Sequence, residues 1–451
     1  MAAAGPTNSL VVDADGKVSV MGTNSHGELG WYLPETTRHV DTMNIYTRTC
    51  EELTLHTLTA MGELDVAEPV NMQHVQLVAT SQFATACLVS GGTLVVGGAV
   101  LNGRTSNGYH HCSRMPFEAL PRDLFGLSPV VSVACGGSHM VAVTQNGRVW
   151  TGGLACNYGI GHVGARVNAH AFDARCEFRI VDTPKDFLAT TIVFVAAGHR
   201  HTSCVDSNGS VWLMGDLVSA AFRENLPTMV DPVMFANKPV VMTSGGHDHI
   251  AAVTHDGDLY TWGLGRHGQL GIGDLNSSHN PVMLASVTLG DSPVRTVACG
   301  SRHTLIATEA GAAWICGSNG DDYSYGAENR KQPCVWPVKV DLDVTIVAVA
   351  TADTHSVAIS ADGRLFTWGT GPGTGHHSLD YPGCVIPKHI PTHTQIGRWH
   401  RCLQSHALAF AMCTHSRLGK YDELPSDLVE KIVRLCVWRP QVPEFELEGM
   451  M

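Results

Sequence analysis

Apolar residues along this chain come in short alternating runs, such as Arg148-Val149-Trp150, Asp258-Leu259-Tyr260 and Arg364-Leu365-Phe366. A period of two bounded by turn residues predicts strands. Between the runs stand Asp-Gly, Asn-Gly or related turn signals, centred on Gly16, Gly92, Gly147, Gly209, Gly257, Gly311 and Gly363. Each predicts a hairpin, seven in all. The turns are too unevenly spaced for a solenoid of identical coils, yet regular enough for one supersecondary unit with variable loops. Six residues after every turn glycine another glycine follows: Gly22, Gly98, Gly153, Gly215, Gly263, Gly317 and Gly369.

The unit has further fixed points. Eight residues before the turn glycine stands histidine in five copies, His139, His201, His249, His303 and His355, with Asn8 and Ala84 in the first two. Three residues earlier glycine recurs as Gly5, Gly136, Gly198, Gly246 and Gly300, with Ser81 and Ala352 in the remaining copies. Small residues there predict a strand squeezed against a crowded axis. Cys135 and Cys299 share the position that Ala197 fills, so they are packing residues and not ligands. Pro69-Val70, Pro232-Val233, Pro281-Val282 and Pro337-Val338 mark a Pro-led strand later in the unit. Four short strands repeated seven times describe a propeller.

The stretch from Val240 through Gly246-His247-Asp248-His249, Asp256-Gly257, Trp262-Gly263 and Gly268-Gln269-Leu270-Gly271 resembles the regulator of chromosome condensation repeat. So does Asp15-Gly16 through Met21-Gly22 to Gly27-Glu28-Leu29-Gly30. The resemblance runs over residues 5–413 and implies an all-β fold, a seven-bladed β-propeller. Copies two, four and six depart from it, with Gly97, Met214 and Cys316 where the family has Trp. An eighth, partial copy, Leu403-Gln404-Ser405-His406-Ala407-Leu408-Ala409-Phe410, places His406 in the repeat position. The expectation is a ring closed by terminal strands, with residues near 5–22 and 400–413 sharing a blade. The propeller is assigned to residues 1–416 and a helical tail to 417–451.

In that tail, Leu424, Leu428, Val429, Ile432, Val433, Leu435 and Cys436 recur at helical spacing behind Pro425, which predicts a short amphipathic C-terminal α-helix. Leu424-Pro425 and the spacing to Leu428 and Ile432 resemble the opening helix of an F-box, which docks cullin ligase adaptors. The alternative is a helix packed on the propeller.

Composition narrows the function classes. The net charge is −12, with no block of Lys and Arg, so no nucleic-acid partner is expected. No apolar window of membrane-spanning length and no secretory signal is read, so the chain is expected to be intracellular and cytoplasmic, with the nucleus open. Its 14 cysteines are scattered without a C-x-x-C pair and are expected to be reduced. Of the 25 histidines, His139, His201, His249, His303, His355 and His406 hold the one structural position; His110-His111 and His376-His377 match no zinc module. Gly263-Leu264-Gly265-Arg266-His267-Gly268 fits a dinucleotide loop by letter, but its setting is all-β and no helix follows. No catalytic, cofactor or metal site is nominated, and the chain is expected not to be an enzyme. The insertion between Gly30 and Val70, with Trp31 and Tyr32, is a candidate binding loop.

The family implied by the resemblance contains an exchange factor for the GTPase Ran, ubiquitin-ligase modules, cytoskeletal or GTPase regulators and a plant UV-B photoreceptor. The exchange factor uses basic residues and a wedge in one blade, neither of which is matched here. The photoreceptor depends on Trp in a Gly-Trp-Arg-His-Thr run, where this chain has Gly198-His199-Arg200-His201-Thr202 and Gly300-Ser301-Arg302-His303-Thr304. The leading expectation is a monomeric scaffold that binds protein partners on a loop face, with Trp31, Tyr32, Leu424, Leu428 and Ile432 as candidate contacts. A cullin-type substrate receptor and a guanine-nucleotide exchange factor are the alternatives.

Overall fold

The computed structural model describes residues 2–5, 8–12, 18–22, 56–57, 75–81, 84–98, 118–137, 139–153, 161, 178–182, 184–217, 222–318, 333–369 and 384–390. These residues form seven four-stranded sheets, each antiparallel and each built from strands consecutive in the chain. The fifth is representative: Val240–Gly245 lies innermost, followed outward by His249–Thr254, Leu259–Gly263 and Ser278–Met283. The inner strands Ala2–Gly5, Val75–Thr80, Val130–Cys135, Ile192–Ala197, Val240–Gly245, Val294–Cys299 and Ile346–Thr351 each lie beside the next, and the first lies beside the last. The ring is therefore closed, and the fold is an all-β propeller.

Position in the ring explains the residue choices. Inner strands converge on the axis and are rich in Ala, Ser, Thr and Val. Second strands are buried along all six residues in sheets two to seven, because neighbouring sheets cover both of their faces. The third strand carries a large ring, Trp150, Trp212 or Tyr260, against which the preceding connection drops an aromatic anchor. Phe125 meets Trp150 edge-on at 5.7 Å, Phe187 meets Trp212 at 5.3 Å and Phe235 meets Tyr260 at 5.3 Å. These anchors sit in one-turn helices, Arg122–Phe125, Lys185–Leu188 and Pro232–Phe235. A fourth turn, Ser286–Leu289, buries Leu289 in the cluster that Trp314 packs against.

Antiparallel order gives the ring two unlike faces. Turns between first and second strands, and loops between third and fourth, emerge on one side, called here the histidine face. Hairpin turns between second and third strands, and the anchor turns leading to the next sheet, emerge on the other, the turn face. There the turn glycines Gly92, Gly147, Gly209, Gly257, Gly311 and Gly363 all have positive φ, between +73° and +83°. The carbonyl of the first five accepts a hydrogen bond from the first residue of the next inner strand, as in Val240 N to Gly209 O at 3.0 Å and Val294 N to Gly257 O at 2.9 Å.

The first sheet takes all four of its described strands from residues 2–57, and Ala2–Gly5 holds its innermost place. Small side chains suit that strand to the axis; residues 400–413, expected to share this blade, lie outside the described residues. One expectation about the prolines needs correction. Pro232 opens an anchor turn, with the Asp231 side chain accepting from Val233 N, while Pro281 and Pro337 lie inside outermost strands, whose free edge tolerates a missing N–H. Pro69, the domain boundary at 416 and the C-terminal helix lie outside the described residues.

The recurring Gly-x-x-His is the turn between first and second strands. Its imidazole folds back over the glycine, and the next sheet's carbonyl presses from the other side. A Cβ at Gly246 would fall 2.5 Å from Gly300 O and 2.6 Å from His249 Nδ1, distances real side chains do not adopt. The pairing is not strict, for Ser81 precedes Ala84, Gly5 precedes Asn8 and Ala352 precedes His355. Gly246→Ala is expected to destabilise the full chain by about 1–3 kcal/mol through overpacking. Urea unfolding followed by tryptophan fluorescence measures it, and an unchanged midpoint would refute the steric account.

Candidate interaction site at the axial mouth

Below each of these turns the histidine reaches across the seam to the sheet that follows. His139 Nε2 lies 2.8 Å from Thr202 Oγ1, His249 Nε2 2.9 Å from Thr304 Oγ1, His303 Nε2 3.2 Å from Ser356 Oγ, and His355 Nε2 2.7 Å from Ser9 Oγ. The partner hydroxyl in these four seams belongs to the residue after the next copy's histidine or its Asn8 equivalent. His201 faces Ile250 in that position, and neither of its ring nitrogens has a partner. Its seam is joined instead by Ser203 Oγ and Thr243 Oγ1, 2.8 Å apart.

Burial holds all five rings neutral. It pushes His139 and His303 down to about 4, and His201, His249 and His355 down to about 3. Unfolded histidine titrates near 6.5, so as pH falls the unfolded chain takes up protons first and the native state loses ground. The stabilisation is complete above about pH 6.5 and declines toward pH 4, by up to about 1.4 kcal/mol per pH unit for each ring. The urea midpoint is expected to fall across that window, and less steeply in His249→Gln, which removes one titrating ring. Equal slopes for the two proteins would contradict the assignment.

The ring encloses an axial channel of about 350 Å³, walled by small side chains of all seven inner strands. On the histidine face its mouth is set by the two variable residues of each Gly-x-x-His turn. Here His199 stacks on His247 with ring centroids 4.0 Å apart and planes 11° from parallel. Backbone bonds bring the turns together: His199 N donates to Gly246 O at 3.0 Å and His247 N to Gly300 O at 3.2 Å. His247 Nδ1 lies 2.7 Å from Asp248 Oδ2. Arg200 and Asp353 stand exposed near the pair, and Arg302 stands exposed on the following sheet's turn, near His267.

The two stacked rings titrate apart. Burial, then the neighbouring His247 charge, lowers His199 to about 4. The hydrogen bond to Asp248 raises His247 despite its partial burial, and the same bond and the imidazolium charge lower Asp248 against its own desolvation. Near neutrality the mouth thus offers a neutral imidazole stacked on one that charges readily, flanked by the Arg200 guanidinium and two carboxyl groups. That array suits charged side chains of a partner protein. No group of three or more His, Cys, Asp or Glu among the described residues is arranged to hold a metal ion. The G-x-G-x-x-G stretch is a turn whose Gly268 packs on the sixth sheet's Cys334 carbonyl, leaving no room for a phosphate there. Cys299 and Cys135 are pushed up to about 12 by burial, as packing thiols are.

Trp31, Tyr32, Leu424, Leu428 and Ile432 all lie outside the described residues. His199, His247, Asp248 and Asp353 were hidden by their setting, because attention to the repeated histidine masks the residues beside it. The available signal was variation: between fixed glycine and fixed histidine, the copies read Gly137, His199, His247, Ser301 and Asp353.

A family model described as regulator of chromosome condensation (RCC1) repeat matches residues 256–307, and a second of that description matches 130–156 and 294–322. The chain is 29% identical over 246 residues to the ultraviolet-B receptor UVR8 of Arabidopsis thaliana, covering 53% of each protein. It is 36% identical over 148 residues to the secretion-regulating guanine nucleotide exchange factor of Mus musculus, covering 32% of this chain and 30% of that protein. With the guanine nucleotide exchange factor SRM1 of Saccharomyces cerevisiae it shares 28% over 285 residues, 57% of this chain and 56% of that one. The matched stretches thus span about half or less of these relatives. Among solved structures, Prp20p from Saccharomyces cerevisiae aligns over 79% of this chain and 81% of its own with a TM-score of 0.60 at 19% identity. Human WBSCR16 aligns over 74% and 84% with the same score and identity. These structural likenesses establish the propeller fold. No helix among the described residues is long and apolar enough to cross a membrane.

Proposed function

Because the chain belongs to the regulator of chromosome condensation repeat family, we infer that it is a seven-bladed scaffold that binds a protein partner on its histidine face. One observation carries this: antiparallel order brings the variable Gly-x-x-His residues and the long loops between third and fourth strands to the same side of a rigid ring. Loops on a fixed frame make an adaptable surface. At its centre the mouth presents Arg200, Arg302, His247 and Asp248, charged groups held by backbone bonds and ready to orient a partner.

The test is affinity capture with mass spectrometry, using the wild-type chain and an Arg200→Glu/Arg302→Glu variant of it. Both arginines are exposed, so the fold is expected to survive. Recovery of the partner should fall by about tenfold or more when two rim charges are reversed. A partner recovered equally by both proteins would put the binding surface elsewhere and end this reading.

A second reading, nucleotide exchange on a small GTPase, is supported by the two relatives named as exchange factors. Release of a fluorescent guanine nucleotide from any GTPase so captured decides between them. Acceleration supports exchange, and binding without acceleration leaves the scaffold. The ubiquitin-ligase reading draws on a stretch 28% identical over 274 residues to the E3 ubiquitin-protein ligase HERC2 of Homo sapiens, which covers 5% of that protein. It requires adaptor binding that Leu428→Asp abolishes.

A further inference from the structure

The turn face carries an apolar surface that the repeat does not require. Each anchor turn buries one residue, but the turn Pro232–Phe235 also exposes Val233 at 63% and Met234 at 37%. It packs against the outermost strand of the next sheet, Ser278–Met283, which ends on exposed Met283. Four residues further on, the following anchor turn exposes Val287, at 70%. Met229, at the end of the fourth sheet's outermost strand, adds a fourth element to the same junction. The corresponding turn one sheet earlier, Lys185–Leu188, opens instead with Lys185 and Asp186. Polar residues therefore satisfy the architecture, and Met229, Val233, Met234, Met283 and Val287 form a patch with no packing duty in the described residues.

Three features point to what covers it. First, the last described strand, Cys384–Ile390, is the outermost of the seventh sheet and runs antiparallel to Leu365–Gly369. It therefore ends on the turn face, the side that carries the patch. Second, residues 391–423 lead from it to the one segment with a helical apolar stripe, and at about 3.3 Å per residue they reach about 110 Å, enough to cross the ring. Third, the segment carries Lys431 and Arg434 beside the stripe of Leu424, Leu428, Ile432 and Leu435, and although Asp427 and Glu430 leave it without net charge, the two bases lie in its C-terminal half and can face Asp231 and Asp291, exposed beside the patch. We propose that residues 424–436 dock in cis as an amphipathic helix across Met229, Val233, Met234, Met283 and Val287 on the turn face, covering the apolar stripe that an adaptor would need.

This inference goes beyond the partner-binding reading, which concerns the opposite face, and either stands without the other. Hydrogen exchange by mass spectrometry on the full chain tests it with three single variants: Leu428→Asp on the tail, and Val233→Asp and Met283→Asp on the patch. Val233 and Met283 are exposed on the propeller, so global exchange should be unchanged by either patch variant. Leu428→Asp is expected to speed exchange in peptides covering 229–236 and 283–290 by about tenfold, as protection against local opening is lost. Either patch variant is expected to do the same to residues 424–436, while peptides across the mouth at 198–203 stay as in the wild type. Failure of Leu428→Asp to change the patch peptides would overturn the proposal. So would a tail that exchanges freely in the wild-type chain and becomes protected only when a purified cullin adaptor is added. Loss of the partner in the Arg200→Glu/Arg302→Glu variant leaves these exchange rates untouched, so the two ideas fail separately.

Discussion

The contact on which this fold depends is that between an imidazole and a bare Cα. In four copies the histidine of the inner turn lies directly over a glycine three residues before it, and the next sheet's carbonyl closes on the same glycine. Removing the side chain lets the turn be tight enough for the ring to reach past it. The reach then ends on a hydroxyl of the neighbouring sheet, at 2.7–3.2 Å in four seams. One pair of residues meets both the steric and the polar requirement at Gly136-His139, Gly246-His249 and Gly300-His303, whereas His201 follows its glycine without a hydroxyl partner and His355 reaches Ser9 behind Ala352. A further glycine, six after the hairpin turn, pairs opposite the histidine: His249 with Gly263, His303 with Gly317 and His355 with Gly369. A Cβ at Gly263 would meet Asp248 O at 2.5 Å and His249 Cα at 2.7 Å. Three fixed positions in each unit thus serve one junction.

That junction also decides what kind of site the ring can hold. Buried imidazoles are costly to charge, so the belt beneath the mouth stays neutral and leaves the field there to the residues it supports. The difference between His199 and His247 follows from this. They sit at equivalent turn positions and stack face to face, but His247 has Asp248 as a hydrogen-bond partner, while burial and the neighbouring His247 charge hold His199 down. Because the turns are locked sheet to sheet by backbone bonds, these charges are presented in a fixed arrangement with little ordering cost on binding.

Much of this was legible in the amino-acid sequence because repetition converts a weak local signal into a strong one. A lone glycine means little, whereas Gly263, Gly317 and Gly369 each six residues after a turn glycine identify a unit. The anchor turns were less legible. Phe125, Phe187 and Phe235 occupy one place in the unit, but their turns share almost no letters, so Pro232-Val233 passes for the start of a strand. The innermost strand of the first sheet was hard to read for a related reason. Ala2-Ala3-Ala4 carries no strand signal of its own, and its role appears only when six other inner strands define the gap it fills. The mouth was hidden most thoroughly, since residues that differ from copy to copy are invisible to a search for likeness.

The same logic separates the two faces. On the histidine face variation is confined between fixed glycines and histidines, so it can diversify without disturbing the seams, and it is polar. On the turn face the fixed elements are the hairpin glycines and a single buried anchor, and the freedom lies in the residues around that anchor. Where such a residue is apolar and exposed at consecutive junctions, as at Val233, Met234, Met283 and Val287, stability of the sheet does not explain it. Water contact at those side chains is unfavourable by about 25 cal/mol for every Å² left uncovered, a steady pull toward any apolar segment tethered within reach. A tail leaving on that side is present at high effective concentration, whereas a separate partner must first pay for association. The ring would then have one face open to partners and one occupied by its own chain.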